Sequence, residues 1–212
     1  VPSTTDDYAR GIVAGLLALL EEAGVPPAEV GAVLHATTIG SNAVLERAGA
    51  RTGLITTRGF RDTLEIRDLR MPRLYDLGWQ KPPPLVERRL RLEVEERVRA
   101  DGSIALPLDE ASAERALRAL LAEGIESLAV CFLNAHANGA NERAMAAVAA
   151  RLAPVLPVSL SSDVLSEIGE YPRTSTTVIN AYVLPVVRAY LTRLHGALAG
   201  RGVAAPVLLM QS

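Results

Sequence analysis

Short apolar runs alternate with stretches of helical spacing along the chain, and most of these runs end in polar turns. The runs are short enough for buried strands and rich in Val, Ile and Leu. They predict strands at 30–34, 52–57, 127–133 and 157–160. Apolar residues at helical spacing predict helices at 6–23, 109–123 and 140–152, and another after residue 173. This order predicts an α/β fold in which a mixed or mostly parallel sheet is flanked by helices.

The first predicted strand runs into a cluster of small polar side chains. His35, Thr37, Thr38 and Asn42 follow it and lead into a helical pattern that Gly49 is expected to close. In open α/β sheets, ligands collect beyond the carboxyl ends of the strands and near helix N-termini. These four side chains are therefore candidates for a ligand site. The alternative is that Thr and Asn only cap the helix.

The second strand, 52–57, also ends in a Thr-Thr pair, and charged residues follow it. Arg58, Arg61 and Asp62 lie in the turn and short helix predicted just after this strand. One interpretation is anion binding beside the Thr-Thr turns. The other is ion pairing on an exposed helix, which contributes little to stability.

Periodicity lapses after Asp62 and returns near Val86, in a stretch that contains the only tryptophan, Trp79. Loops of this length are usually functional or disordered. We expect an extended arm that either packs on the domain or faces a substrate or another subunit. Residues 89–98 then alternate between apolar and polar, and a turn signal precedes 104–106. This pattern predicts an inserted β-hairpin.

Hydroxyl side chains are densest just after Pro172, where a long helix is predicted to start. Arg173, Thr174, Ser175 and Thr176 stand at this start and could hold an anion against the helix N-terminus. Pro185 falls inside the same helical pattern and predicts a kink or a break.

Charge and composition exclude several classes of protein. The net charge of -2 gives no general electrostatic reason to bind nucleic acid. Cys131 is the sole cysteine and lies in an apolar run, which predicts a buried thiol and no disulfide within the chain. His35 and His136 both follow strands, but no carboxylate accompanies either at ligand spacing, so no metal site is predicted. Without a signal peptide or a membrane span, we expect a cytoplasmic protein.

Four blocks of the sequence resemble the N-terminal part of the hydantoinase A / 5-oxoprolinase family, in the same order and spacing. They are HATTIGSNAVLERAGARTGLITTRGFRDTLEI, PRLYDLGWQKPPPLVERRLRLEVEERV, LSSDVLSEIGEYPRTSTTVINAYV and LLMQS. The family includes ATP-dependent N-methylhydantoinases, 5-oxoprolinases and the acetone carboxylase β-subunit. The resemblance implies an actin-like ATPase (ribonuclease-H-like) fold.

The resemblance also implies a domain organisation. Residues 1–172 would form the N-terminal-type α/β domain, with the arm and hairpin at about 62–108. Residues 173–212 would form a long helix and a strand that lead into a second ATPase lobe. The Gly-rich phosphate loops of the family lie before and after this chain. We therefore expect a fragment that does not hydrolyse ATP by itself.

The activity that the resemblance implies for the parent protein is ATP-dependent hydrolysis of a cyclic amide, of the hydantoinase or 5-oxoprolinase type. Implied with it are ATP and Mg²⁺, a small cyclic amide substrate, and a hydantoinase B-type subunit or fused domain, with no nucleic acid or membrane partner. An acetone-carboxylase-type β-subunit that activates a ketone is one alternative. A non-catalytic, actin-like regulatory ATPase lobe is the other.

Positions at strand and helix ends suggest individual roles for residues within this activity. Thr37 and Thr38 could contact phosphate or substrate, and Arg58 or Arg61 could neutralise charge on a transferred group. Arg173 and the hydroxyl residues after it could hold a second anion. No individual catalytic residue follows from the sequence.

Overall fold

The computed structural model describes residues 8–68 and 75–210, and the chain forms two compact units. The larger unit spans residues 43–185, and the smaller one combines residues 1–42 with 186–212. The helices are α1 (Tyr8–Ala23), α2 (Ile39–Leu45), α3 (Thr63–Ile66), α4 (Glu110–Ala122), α5 (Ala140–Leu152), α6 (Ser161–Val164) and α7 (Glu170–Ala199). The strands are β1 (Val33–His35), β2 (Thr52–Thr57), β3 (Arg91–Val94), β4 (Arg97–Val98), β5 (Ile104–Leu106), β6 (Ser127–Cys131), β7 (Val158–Leu160) and β8 (Val207–Leu209). Short 3₁₀ helices lie at Pro27–Glu29 and Arg88–Leu90.

A four-stranded parallel sheet with the order β3-β2-β6-β7 runs through the larger unit. Every residue of β2 is buried, as expected for an inner strand that is covered on both faces. Leu54 of β2 pairs with Arg91 on one side and with Ala129 on the other. The strand predicted over 52–57 is confirmed, and the one predicted over 127–133 ends earlier, at Cys131.

Helix α4 begins where the sequence predicts because Asp109 caps it. The Asp109 carboxylate accepts hydrogen bonds from the backbone amides of Ala111 and Ser112, at 3.2 and 3.1 Å. Leu120 of α4 and Met145 of α5 share one apolar core with β2 and β6. Helices thus flank a mostly parallel sheet, and the predicted α/β fold class is confirmed.

In the smaller unit, β1 and β8 pair in parallel, with Val33 opposite Val207. Leu194 of α7 packs with α1 in a separate apolar core beside these strands. The strand predicted over 30–34 lies slightly later, at Val33–His35. The helix predicted over 6–23 is present as α1, and its predicted start lies outside the described residues.

The hairpin differs from the prediction. Its expected first strand is split, because β3 pairs in parallel with β2 while β4 and β5 form the antiparallel pair. The apolar alternation through Leu92 and Val94 is the same in both arrangements, so periodicity alone does not separate them. The chain changes direction at Glu95 and Glu96, where the Glu96 side chain is buried.

The prediction that Gly49 caps helix α2 is wrong. The helix ends at Leu45, and Arg47 takes the positive φ, 54°, in the turn that follows. Gly49 lies further along, against helix α7, where a Cβ would stand 2.1 Å from the Tyr182 ring. A glycine is required there for close approach rather than for helix termination.

Helix α7 begins earlier than predicted, at Glu170. Pro172 lies in its first turn, where the missing N–H has no helical acceptor to lose. Of the kink or break predicted at Pro185, the break does not occur, because the helix continues to Ala199. Neither α7 nor any other helix in the described part of the chain is both long and apolar enough to cross a membrane.

The described part of the predicted arm packs on the larger unit through backbone carbonyls. Lys81 donates hydrogen bonds to the carbonyl groups at the end of α3, at 3.0 and 3.3 Å, and the Arg67 guanidinium donates to the carbonyl of Pro82. Tyr75 is exposed. Residues 69–74 of this arm lie outside the described residues.

Candidate functional site

The carboxyl ends of β2, β3, β6 and β7 lie along one edge of the sheet because the four strands run in parallel. Ligands of open α/β sheets bind beyond this edge. Buried polar side chains gather here, and we call six of them the carboxyl-edge network: Thr57, Glu96, Asn141, Glu142, Ser161 and Arg173. Buried polar groups need hydrogen-bond partners, and most of these find theirs in one another or in the strand exits.

Glu96 ties the exit of β2 to helix α5. Its carboxylate accepts a hydrogen bond from the Thr57 hydroxyl and another from the Asn141 amide, at 2.8 Å. The Thr57 hydroxyl in turn accepts from the backbone amide of Leu133, at 2.8 Å, just beyond β6. Burial raises the pKa of the Glu96 carboxyl, although these two hydrogen bonds oppose the shift.

Glu142 joins the exits of β6 and β7. The carboxylate accepts hydrogen bonds from the backbone amide of Phe132, at 2.9 Å, and from the hydroxyl of Ser161, at 2.6 Å. Its other oxygen accepts from the backbone amide of Ser162, at 2.8 Å. A completely buried carboxylate is thus satisfied by three donors from two different strand exits.

Arg173 enters the same edge from helix α7 and is only 1% exposed. Its guanidinium donates to the carbonyls of Phe132 and Glu167, at 3.0 and 2.7 Å, and lies 3.5 Å from the Nδ1 atom of His136. The Nε atom has no hydrogen-bond partner, although it is buried. An unpaired buried donor carries a desolvation cost.

Thr174, the next residue on α7, contacts the end of β6. Its hydroxyl lies 3.0 Å from the Cys131 sulfur, and Thr56 donates to the Cys131 carbonyl at 2.9 Å. Burial raises the pKa of the Cys131 thiol. The thiol therefore ionises less readily than a free cysteine, and the predicted burial of Cys131 is confirmed.

A cleft of about 400 Å³ opens between the turn after β2, helix α3 and the start of α7. We call it the α3–α7 cleft, and it is lined by Gly59, Phe60, Asp62, Thr63, Ile66, Arg67, Asp68, Gly169, Glu170, Tyr171 and Pro172. Its volume falls in the range of small-molecule sites. A cavity of about 10 Å³ adjoins it and is lined by Arg173 and Thr174, while Phe60, Thr63 and Glu170 line both.

The charged residues predicted after β2 all have partners within the larger unit. Arg58 forms an ion pair with Glu95, and Arg61 donates to the Arg88 carbonyl at 2.9 Å. Asp62 pairs with Arg88 at 2.8 Å, and this hydrogen bond lowers the pKa of the Asp62 carboxyl. The ion-pairing interpretation therefore describes their contacts in this structure.

The turn after β2 has the form of an anion-binding turn, but a side chain of the protein fills it. The backbone amides of Gly59 and Arg61 both donate to one carboxylate oxygen of Glu93, at 2.9 and 3.2 Å. Two amides converging on one oxygen is the arrangement that elsewhere holds phosphate. This turn is thus not open to a nucleotide phosphate.

The predicted site residues of the smaller unit differ from one another in burial and in hydrogen bonding. His35 is buried, and its Nε2 atom lies 2.8 Å from the Tyr190 hydroxyl. The Thr37 hydroxyl accepts from the backbone amide of Ile39 at 3.3 Å, at the start of α2. Thr38 and Asn42 are exposed, and their side chains form no hydrogen bond with the rest of the described chain.

The structure brings some predicted residues together and keeps others apart. Arg173 and Thr174 meet the exits of β2 and β6 at the carboxyl edge. Ser175 lines a separate pocket of about 210 Å³ in the larger unit, and Thr176 is half-buried in α7. His35 and His136 belong to different units, on either side of the division.

Sequence reasoning missed Glu96, Asn141, Glu142 and Ser161. Their partners lie 10 to 45 residues away along the chain, so no local spacing reveals them. One signal was present. Glu96 continues the alternation of Leu90, Leu92 and Val94 and so occupies an inward-facing position, where a charged residue is unusual.

Within 8–68 and 75–210, no group of three or more His, Cys, Asp and Glu side chains is arranged to hold a metal ion. The turn after β2 likewise has its two converging amides occupied by Glu93.

The parallel sheet, its flanking helices and the polar carboxyl edge define an α/β lobe of the actin-like ATPase class. The sequence pattern of the hydantoinase/oxoprolinase N-terminal region matches residues 1–153, and that of hydantoinase/oxoprolinase matches residues 173–212. The chain therefore belongs to the hydantoinase/oxoprolinase family, and the resemblance seen in the sequence is confirmed.

Two relatives and two solved structures show how far the similarity extends. The chain is 36% identical to caprolactamase subunit alpha of Pseudomonas jessenii, over 100% of this chain and 31% of that protein. It is 30% identical to 5-oxoprolinase of Saccharomyces cerevisiae, over 87% of this chain and 17% of that protein. The structure of the ATP-dependent caprolactamase from Pseudomonas jessenii matches with a TM-score of 0.89 and 32% identity, over 99% of this chain and 31% of that one. Acetone carboxylase, in a nucleotide-free structure, matches with a TM-score of 0.83 and 27% identity, over 95% and 31%.

The chain thus spans about a third of the length of caprolactamase subunit alpha and less than a fifth of 5-oxoprolinase.

Proposed function

We propose that the whole protein to which this chain belongs is an ATP-dependent hydrolase of cyclic amides, in which ATP hydrolysis is coupled to opening of a lactam ring. The observation that carries this proposal is the similarity to caprolactamase. Its alpha subunit matches the entire chain at 36% identity, and the caprolactamase structure superposes with a TM-score of 0.89. The similarity to 5-oxoprolinase, another enzyme named for a cyclic amide, supports the same substrate class.

Within that enzyme, we propose that the chain forms part of a substrate-facing wall. Thr38 and Asn42 are exposed polar side chains that the described fold leaves unpaired, so they are available to a ligand. Arg58, Arg61 and Asp62 would shape the turn beside the cleft through their ion pairs and hydrogen bonds. The phosphate-binding loops would lie outside this chain, on the remaining two thirds of the polypeptide.

The names of the same relatives also support a cofactor and a partner for the whole protein. The matched caprolactamase is described as ATP-dependent, which supports ATP as the cofactor, and Mg²⁺ would accompany the nucleotide. The matched sequence is an alpha subunit, which supports a second subunit of the hydantoinase B type or a fused equivalent. Residues 1–172 as one domain, with 173–212 leading into the second lobe, and a cytoplasmic location remain parts of this proposal.

The test is ATP turnover by the full-length protein, expressed together with its partner subunit where the two are separate. Inorganic phosphate release should rise when caprolactam, 5-oxoproline or hydantoin is added, and the ring-opened acid (an amino acid, or an N-carbamoyl amino acid from hydantoin) should form in step with it. Open-chain amides of equal size serve as controls and should give no stimulation. If no cyclic amide stimulates phosphate release or is opened, the proposal is wrong.

A second candidate function is ATP-dependent carboxylation of a ketone. The structural match to acetone carboxylase, with a TM-score of 0.83 over 95% of the chain, favours it. The same assay separates the two functions, because acetone with bicarbonate would then stimulate phosphate release in place of the lactams. ATP binding without turnover on either substrate class would instead indicate a regulatory lobe.

A further inference from the structure

The α3–α7 cleft and the small cavity that adjoins it lie next to each other in the larger unit. The cleft has a volume of about 400 Å³, and the cavity, about 10 Å³, holds roughly a single oxygen atom. Phe60, Thr63 and Glu170 line both. The two spaces are therefore neighbours, and the cavity has room for about one atom of a small molecule.

One residue that lines the cavity carries an unsatisfied donor. Arg173 lines it, and two of the three guanidinium nitrogens are engaged by the carbonyls of Phe132 and Glu167. Nε is the remaining nitrogen, buried and without a partner. A carbonyl oxygen placed within hydrogen-bonding distance of Nε would satisfy this N–H group and remove its desolvation cost.

The cleft itself has features that are complementary to a neutral ring with an N–H group. Glu170 and Asp68 line the cleft, and neither carboxylate forms a hydrogen bond or ion pair with the rest of the described chain. They can accept a hydrogen bond from an N–H group. Ile66, which is 51% exposed, and Tyr171 give the cleft its apolar surface.

Charge argues against an anionic ligand in this cleft. Besides these two carboxylates, Asp62 lines it, and the one cation among the described lining residues, Arg67, donates to the Pro82 carbonyl. A carboxylate or phosphate in the cleft would meet like charges, which disfavours its binding. A ligand with one acceptor, one donor and an apolar ring avoids this repulsion.

We propose that the α3–α7 cleft binds a neutral lactam, with its ring against Ile66 and Tyr171 and its carbonyl oxygen accepting a hydrogen bond from Arg173 Nε. The assignment rests on the proposed function, which supplies the cyclic amide as substrate class. It adds the binding site, the orientation of the ligand and a preference among lactams. Lactams without a carboxylate should bind better here than 5-oxoproline does. Arg173 thereby acts on the ligand directly, and Thr174 and Cys131 support the wall behind it.

The test uses the full-length protein and caprolactam as the probe. Ile66→Trp fills the cleft from an exposed position, so it should raise both the Kd for caprolactam and the KM in lactam-stimulated phosphate release by about tenfold or more. Ile104→Trp is the matched control. Ile104 is 40% exposed on β5 and does not line the cleft, so this variant should behave as the wild type does.

A crystal structure of the wild-type protein with caprolactam gives a second measurement that does not depend on the folding of a variant. It should show the lactam oxygen within hydrogen-bonding distance of Arg173 Nε. Wild-type binding should also weaken by about tenfold or more when 5-oxoproline replaces caprolactam, because of the unpaired carboxylates.

The possible failures are distinguishable. Unchanged Kd and KM in Ile66→Trp, or a lactam bound elsewhere in the crystal, would overturn the cleft assignment while lactam-stimulated turnover kept the proposed function in place. Absence of turnover and of binding with every cyclic amide would remove the proposed function and this assignment together.

Discussion

Glu96 is a carboxyl group that the fold removes almost entirely from water, at 2% exposure. It is kept there by two donors, the hydroxyl of Thr57 and the amide of Asn141. Those donors only partly offset the cost of burying a charge, and the pKa of Glu96 is raised as a result. A single side chain thus makes the stability of the carboxyl edge sensitive to pH.

Glu96→Gln should reduce the pH dependence of unfolding. Because the folded-state pKa lies above the ordinary value of 4.5, Glu96 contributes stability that is fully present below that pH and is lost as the pH rises through the folded-state pKa. Gln can accept from Asn141 and donate to Thr57, so it keeps both contacts without a charge. Urea unfolding from about pH 4 to about pH 8 should show the variant gaining on the wild type as the pH rises.

The control for this measurement is Glu46→Gln, at an exposed position in the turn after α2, which should follow the wild-type curve. Parallel curves for Glu96→Gln and the wild type would show that the Glu96 carboxyl does not titrate differently in the folded and unfolded states.

Single residues also mark the limit of what the sequence predicts about the site. Arg173 and Thr174 were found from a local run of polar residues at a helix start. Asn141 and Glu142 were not, because they lie within an ordinary amphipathic helix and their partners come from other strand exits. Local patterns reveal residues that are unusual among their neighbours, whereas a buried network depends on which distant residues the fold brings together.

At the scale of elements, strands and helices with one clear period were predicted well. β2 and α5 were predicted with the observed bounds, and the Asp109 cap placed the start of α4. The errors arose where one pattern fits two structures, as for the alternation over 89–98, which serves both a hairpin strand and the parallel edge strand β3. The role of Gly49 was misjudged because close packing against another element leaves no trace in the local sequence.

Gly49→Ala tests how closely the turn before β2 approaches helix α7. A methyl group would overlap the Tyr182 ring, since the Cβ position lies 2.1 Å from a ring carbon, and the ring belongs to a buried residue. We expect a loss of about 1–3 kcal/mol in the free energy of unfolding, measured by chemical denaturation.

Gly31→Ala is the matched control for that substitution. Nothing lies within 4 Å of its Cβ position, and its φ is not in the left-handed region, so the variant should be close to the wild type in stability. Equal destabilisation of the two variants would mean that the effect of Gly49→Ala is not a clash with Tyr182.

At the scale of the whole molecule, the two compact units have separate apolar cores. The core of the larger unit is built on the parallel sheet, and that of the smaller unit includes Tyr190 and Leu194 of α7. The fold class was predictable because the strand–helix order is explicit in the sequence. The grouping of residues 1–42 with 186–212 was not, because it depends on the distant pairing of β1 with β8.

Core substitutions should therefore have effects confined largely to one unit. Leu194→Ala should lower hydrogen-exchange protection in α1, β1 and β8, while Leu120→Ala should lower it in β2, β6 and α4. Both leucines are almost fully buried, at 1% and 0% exposure, so each serves as the control for the other. Uniform loss of protection over the whole chain in either variant would show that the units unfold as one.

The carboxylate of Glu142 has a consequence for how this edge can evolve. It holds the exits of β6 and β7 at once, through Phe132 and Ser161, and Glu96 holds Thr57 and Asn141 in the same manner. Replacing either member of such a pair alone with an apolar residue would leave a buried polar partner without a hydrogen bond. Across homologous sequences, position 96 should therefore covary with 141, and position 142 with 161, while the exposed positions of the neighbouring turns remain free to diversify.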